Sequence, residues 1–460
     1  MFEAIEIMDL LRNKLKDDQK ISIFEQQAKT YNLLQQSYIG QNKIEQALEA
    51  SERGKARSLI DLLSSKSATN NASVNNLPTI TQLTKIAQQQ KATVVEYSVI
   101  DESFQLKTKD EMSSEKLYIW VVQPTGKIIF QKVDLKSLKI PLKQLVAKSR
   151  QSIGVGGRGI QFVPKVGTNQ QQNLQQLYQI LIQPIAKHLP KNPDERVIFI
   201  PHESLFLVPF PALKEADNKY LIEKHTILTA PAIQLLDYTQ KNPERLNLSS
   251  LQSGDVLLVG NPTMPFVGIP PKRLSPLPGA EKEARTIGQL LKIQPLIGKQ
   301  ATKSAVLQKL QNAKVIHLAT HGLLDGFGDR IPGAIVLSAD SPPSPQQTNK
   351  GLLKATEIID LKLKADLVVL SACDTGRGEI TGDGVVGLSR SLLGAGASSI
   401  VVSLWALDDD STSELMQEFY KELQRSPDKA KALRQAMLKT MQKHPSPAYW
   451  AAFTIIGNAE

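Results

Sequence analysis

A single cysteine, Cys373, is present among the 460 residues, so no internal disulfide can form. That usage suits a reducing cytoplasm and excludes a cysteine-rich zinc site. Histidine is scarce too. His188, His202, His225, His317, His321 and His444 are the six, and none sits in an HExxH pattern. No apolar run reaches membrane-spanning length. Met1 to Lys20 alternates apolar and charged residues at helical spacing and lacks the apolar core of a signal peptide. Aromatics do not interleave with the basic residues, and the formal charge of +10 is spread widely, with Lys132, Lys136, Lys139 and Lys143 as one local stripe. A diffuse positive balance reads as solubility, so neither nucleic acid nor membrane is expected as a partner. Nothing calls for a cofactor or a metal.

What is present is apolar substance: 41% of the residues are hydrophobic, enough for a large core. The length suits two or three domains. Residues 1–65 read as helices, with Ile21, Phe24, Ala28, Tyr31, Leu34, Tyr38, Ile44, Ala47 and Leu48 at three- and four-residue steps. Gly40-Gln41-Asn42 breaks them into a hairpin. Tyr31, Leu34, Tyr38 and Ala47 fit one frame of a tetratricopeptide (TPR) helix pair, except that Ser51 stands where a large aromatic is usual. A plain helical hairpin is the alternative. A lone repeat cannot bury its own face, so it must pack on a neighbouring helix, on the rest of the chain or on a partner. Residues 66–82 are rich in Ser, Asn, Thr and Ala and read as a linker.

Beyond the linker the period changes. Strands are predicted at Thr93–Ile100, Leu117–Gln123, Lys127–Val133, Val197–Ile200, Val256–Val259, Val315–Leu318, Ala334–Leu337, Leu367–Leu370 and Ile400–Leu404. Helices are predicted at 137–150, 172–188, 279–292, 302–311, 384–395, 411–424 and 428–442, and a loop around Gly154 to Gly159. Apolar strands alternating with helices predict an α/β fold, a mostly parallel sheet covered on both faces. The expected division is a helical arm over 1–65, the linker over 66–82 and one domain over 83–460, in halves 83–250 and 251–460.

Two of these strands carry chemistry at their carboxyl ends, where parallel sheets place their sites. One runs from Ala313 to His321-Gly322; the other runs from Ala365 through Ser371-Ala372 to Cys373-Asp374-Thr375-Gly376. If the two are neighbours, an imidazole and a thiol stand side by side. An imidazole favours the thiolate, the nucleophilic form. His321 can then protonate a leaving amine. The N–H groups of Gly322 and Cys373 can form an oxyanion hole, worth roughly 3–4 kcal/mol per donor in other systems. Gly376 and Gly378 permit a tight loop after the thiol. The plainer reading makes Cys373 a buried structural thiol. His317 shares a strand face with His321 and is expected to support the site from the core. His202 reads as a loop residue packing near the site, with a catalytic role as its alternative. Gly382-Asp383-Gly384-Val385-Val386-Gly387 matches a dinucleotide pattern, but Cys373 to Thr381 separate it from the strand, so a helix packed closely on the sheet explains these glycines better. Asp408-Asp409-Asp410-Ser411 reads either as a helix cap or as acids lining a pocket at the sheet edge.

The set Pro201-His202, Val208-Pro209-Phe210, Leu277-Pro278-Gly279-Ala280-Glu281, His317-Leu318-Ala319-Thr320-His321-Gly322, Ser371-Ala372-Cys373-Asp374-Thr375-Gly376, Ser403-Leu404-Trp405 and Tyr449-Trp450-Ala451-Ala452-Phe453 resembles the CHAT family. Members are caspase-like peptidases usually found behind TPR repeats. The resemblance runs from about Leu83 to Gly457, with Ser51 to Leu63 in support. It implies the caspase-type fold shared with gingipains and separases, with His321 as general base and Cys373 as nucleophile. Separases use an acid just after a leucine-tryptophan pair to recognise arginine before the cut bond. By that likeness Asp408 and Asp409, with Asp374 and Trp405, form the expected substrate-binding set. The expected function is a cytoplasmic cysteine endopeptidase acting on a protein or peptide substrate and regulated by a protein bound to the N-terminal helices. The rival is an idle interaction scaffold that keeps the fold.

Overall fold

The computed structural model describes residues 17–66, 77–101, 115–154, 170–240, 246–323, 331–371, 379–381, 384–405 and 408–459. The chain divides into two compact units. One holds Met1–Ser152, Thr168–Tyr238 and Ile380–Gly384; the other holds Ile153–Gly167, Thr239–Glu379 and Val385–Glu460. Most of the predicted linker, residues 67–76, and the predicted loop from Val155 onward lie outside the described residues.

The first unit opens with helices α1 (Asp17–Gly40), α2 (Ile44–Arg53) and α3 (Arg57–Lys66). The turn falls at Gln41-Asn42, where Asn42 takes a left-handed φ of 59°. Tyr31 and Leu34 of α1 bury against Ala50 of α2, with Tyr38 beside them. The far face of the hairpin turns to a sheet. Helix α4 (Ile80–Gln90), started by a Thr79/Gln82 capping box, leads into strand β1 (Ala92–Asp101). β1 lies between β2 (Glu115–Val122) and β4 (Arg196–Ile200), antiparallel to the first and parallel to the second. β3 (Ile128–Asp134) flanks β2, and β5 (Thr226–Thr229) flanks β4. Tyr97, Phe199 and Phe210 stack in the core, with the two phenylalanine centroids 4.3 Å apart. Helices α5 (Leu142–Ser152) and α6 (Gln170–Leu181) complete this unit's cover with α7 (Ile233–Thr239).

The arm meets its sheet through charge as well as apolar packing. Lys55 Nζ donates to Glu96 Oε1 at 2.6 Å, Ser51 Oγ at 2.8 Å and the Tyr97 carbonyl at 2.9 Å, all buried. Ser51, the misfit in the TPR frame, is thus a ligand for a buried ammonium. Neighbouring Glu52 accepts the Ile233 and Gln234 N–H groups at 2.9 and 3.2 Å, the start of α7. Burial, and next the Glu96 charge, hold the Glu52 carboxyl well above the usual carboxylate range.

The second unit is the βα alternation read from the sequence. Its sheet runs in the order β14-β13-β12-β8-β6-β7. These are β6 (Val256–Pro262), β7 (Leu296–Gly298), β8 (Val315–Ala319), β12 (Leu367–Ser371), β13 (Ser399–Ser403) and β14 (Phe453–Gly457). Every neighbouring pair is parallel except β13 with β14. Helix α8 (Pro278–Leu291) joins β6 to β7, and α9 (Lys303–Leu310) precedes β8. Predicted strand Ala334–Leu337 is a strand, but not of this sheet. As β10 (Ala334–Val336) it joins β9 (Gly322–Leu323) and β11 (Leu352–Lys354) in an antiparallel trio. Helices α10 (Leu388–Ala395), α11 (Asp409–Arg425) and α12 (Lys429–Lys443) follow. At Gly260 of β6 the sheet touches α8 so closely that a Cβ would come within 2.7 Å of the Ala280 carbonyl oxygen. No helix among the described residues is long and apolar enough to cross a membrane.

Candidate active site

β8 and β12 are parallel neighbours. Their register runs from Val315 opposite Leu367 to Ala319 opposite Ser371. Cys373 lies outside the described residues, as do Asp374, Gly376, Gly378, Gly382 and Asp383. Along the chain, His321 follows Ala319 by two positions, and Cys373 follows Ser371 by two.

His321 sits where β8 leaves the sheet. Thr320 is buried and donates its Oγ1 hydrogen to the Val336 carbonyl at 2.7 Å, and the Val336 N–H donates to the His321 carbonyl at 3.0 Å. These bonds turn the chain into β9. The pair 321/336 is therefore hydrogen-bonded, and in an antiparallel ladder the next pair, Gly322 opposite Ile335, is not. The Gly322 N–H consequently points away from β10. The half-buried His321 ring lies with Nε2 2.8 Å from the Ser275 carbonyl. A carbonyl only accepts, so Nε2 carries a proton and the neutral ring keeps Nδ1 as its base.

His317, four positions earlier, is fully buried. Its Nδ1 is 3.2 Å from the Tyr420 hydroxyl of α11. Its Nε2 is 2.9 Å from Glu283 Oε1 of α8, ion-pair range without the alignment of a hydrogen bond. Burial, and next the Glu283 charge, raise the Tyr420 hydroxyl well above its ordinary pKa, so it remains a donor. Neither Ser275, Glu283 nor Tyr420 was singled out by motif. One signal was available: Glu283 interrupts the apolar face Ala280, Ala284, Ile287 of α8.

The acids fall at helix starts. Asp408 caps α11, its carboxylate accepting the Ser411 N–H at 3.1 Å. Asp409 reaches the first turn of α8 and accepts the Gly279 N–H at 3.2 Å. Asp410 pairs with Lys282 at 3.3 Å. Trp405 is buried and donates its indole N–H to the Ala448 carbonyl at 3.1 Å. His202 belongs to the first unit. Its Nδ1 accepts the Val99 N–H at 3.1 Å, and burial, aided by the Lys55 charge, pulls its pKa down to about 3.

A βα alternation with a mostly parallel sheet flanked by helices makes this a caspase-like α/β protein. The likeness extends to the Saccharomyces cerevisiae separase–securin complex, with a TM-score of 0.51 at 10% identity over 96% of this chain and 37% of that one. The CHAT domain model matches residues 171–458, and the chain belongs to that family. It is also similar to Tetratricopeptide repeat protein 28 of Mus musculus, 25% identical over 594 residues, covering 100% of this chain. The Homo sapiens protein of that name is likewise 25% identical, over 591 residues. The chain spans 23% of the length of each of these two relatives.

Proposed function

We propose that the chain is a caspase-like cysteine endopeptidase in which His321 and Cys373 act as a dyad. The supporting observation is the β8/β12 register, which ends level at Ala319 and Ser371, each two residues short of a reactive side chain. The Cys373 thiolate attacks the scissile carbonyl carbon, forming a C–S bond. The oxyanion that develops is received by the Gly322 and Cys373 N–H groups, and the outward N–H of Gly322 supports that role. Protonated His321 gives its proton to the leaving amine as the C–N bond breaks. His321 then takes a proton from water, whose oxygen displaces sulfur and restores the thiolate. His317 supports from the core.

The substrate is a protein or peptide. A basic residue before the cut bond is proposed through the rim acids Asp408 and Asp409, although both carboxylates also hold helix N-termini. The similarity to Tetratricopeptide repeat protein 28 supports regulation by a protein partner at the arm. The test is peptide-library cleavage by wild type, Cys373→Ala and His321→Ala. Cleavage confined to wild type is expected; equal cleavage by Cys373→Ala sinks the assignment.

A further inference from the structure

α8 holds both histidines of the β8 segment. It connects parallel strands and so descends against their direction, with its start beside the strands' carboxyl ends. It packs on both β6 and β8. The chain entering α8 meets His321 through the Ser275 carbonyl, and the second turn of α8 meets His317 through Glu283. The two contacts are rungs between one helix and one strand segment. Their spacing matches: four extended residues from His317 to His321 span ~13 Å. Six helical residues from Leu277 to Glu283 rise ~9 Å. The two uncoiled residues after Ser275 make up the rest.

Three more contacts make the helix start a defined platform. The Leu277 N–H donates to Asn261 Oδ1 at 2.8 Å, Asn261 Nδ2 donates to Glu281 Oε2 at 3.2 Å, and Gly279 N–H meets Asp409 as above. The absence of a side chain at Gly260 lets the helix approach the sheet. The lower rung is a buried acid, imidazole and phenol, with Glu283 2%, His317 0% and Tyr420 0% exposed. Apolar residues would fill that space without charge, and a buried ionic cluster is not a general stabiliser. What it does supply is a fixed register of α8 along β8, because sliding the helix strands a charge.

We infer that Glu283, with Tyr420 behind His317, is a positioning residue. It sets α8 along β8 so that the Ser275 carbonyl fixes the His321 ring with its proton on Nε2. The inference rests on the peptidase reading for its kinetic consequence, not for its structural one.

The test uses the full chain labelled with 15N at histidine, with His321 signals assigned from a His321→Asn sample. In wild type the ring is expected as the Nε2–H tautomer. Glu283→Gln keeps size and an acceptor oxygen but removes the charge; it should leave a mixture of tautomers. Tyr420→Phe should move the signal in the same direction by less, and it decides the matter if Glu283→Gln does not fold. In peptide cleavage, kcat should fall about 10- to 100-fold, the range for a misplaced catalytic group, with KM nearly unchanged. Unchanged His321 signals and unchanged kcat in a folded variant overturn the inference and leave the peptidase reading intact. A shifted His321 signal in a protein that cleaves nothing, wild type included, upholds the positioning role and ends the peptidase reading.

Discussion

Replacing Lys55 with methionine should unseat the helical arm. The Lys55 ammonium has three hydrogens and three partners, Glu96 at 2.6 Å, Ser51 at 2.8 Å and the Tyr97 carbonyl at 2.9 Å. Methionine keeps the apolar stem and strands the Glu96 carboxylate, which is fully buried and next to Glu52. Removing one member of a buried pair costs about 3–5 kcal/mol. At about 1.4 kcal/mol per factor of ten, amide exchange in α2, α3 and β1 should quicken by roughly two to three and a half orders of magnitude. The defect should also depend on pH. Glu52 has a raised pKa in the folded state, so its protonated form contributes stability at low pH that is lost as pH rises through the raised value. Without Lys55, the charge that draws the Glu52 value down is gone, so that value rises further. The loss should therefore be largest in mild alkali and shrink on acidification. Hydrogen exchange by mass spectrometry at two pH values reads both features. A loss below about 1 kcal/mol, or one that ignores pH, would refute the argument that this cluster secures the arm.

The imidazole of His202 is held neutral with a pKa of about 3, so its contribution is present above 6.5 and is lost as pH falls toward 3. Acid denaturation of the first unit should carry this term, up to about 1.4 kcal/mol per pH unit, and His202→Gln should flatten it. Gly260→Ala pushes a methyl against the Ala280 carbonyl and should lower stability by about 1–3 kcal/mol, seen in denaturant titration. Asp408→Ala should cost about 1 kcal/mol through the lost cap of α11. If Asp408→Asn and Asp409→Asn both leave the preferred residue before the cut bond unchanged, the acids serve the helices alone.

Much of the second unit was legible because its strands are short apolar runs between amphipathic helices. Val315–Leu318 and Leu367–Leu370 were placed to within a residue. β7 and β14 are not legible, because Leu296–Gly298 is too short to show a period and Phe453–Gly457 follows an aromatic motif that masks alternation. Ala334–Val336 has the composition of a sheet strand, and nothing local says which sheet it joins. Within the candidate site, the histidines could be found by motif. Ser275 could not, since its contribution is a backbone carbonyl that any residue type carries. Glu283 and Glu96 were legible only as charges in apolar stripes, a signal that names a buried partner without saying which one.

The central claim is that His321 and Cys373 form one working dyad. The most direct measurement is the pH dependence of Cys373 alkylation by iodoacetamide in the full chain, since Cys373 is the sole thiol. An imidazole partner should make the thiolate reactive well below the ordinary thiol pKa of about 8.5, and His321→Ala should return the profile to that value. The same profile in wild type and His321→Ala, centred at the ordinary value, would contradict the account.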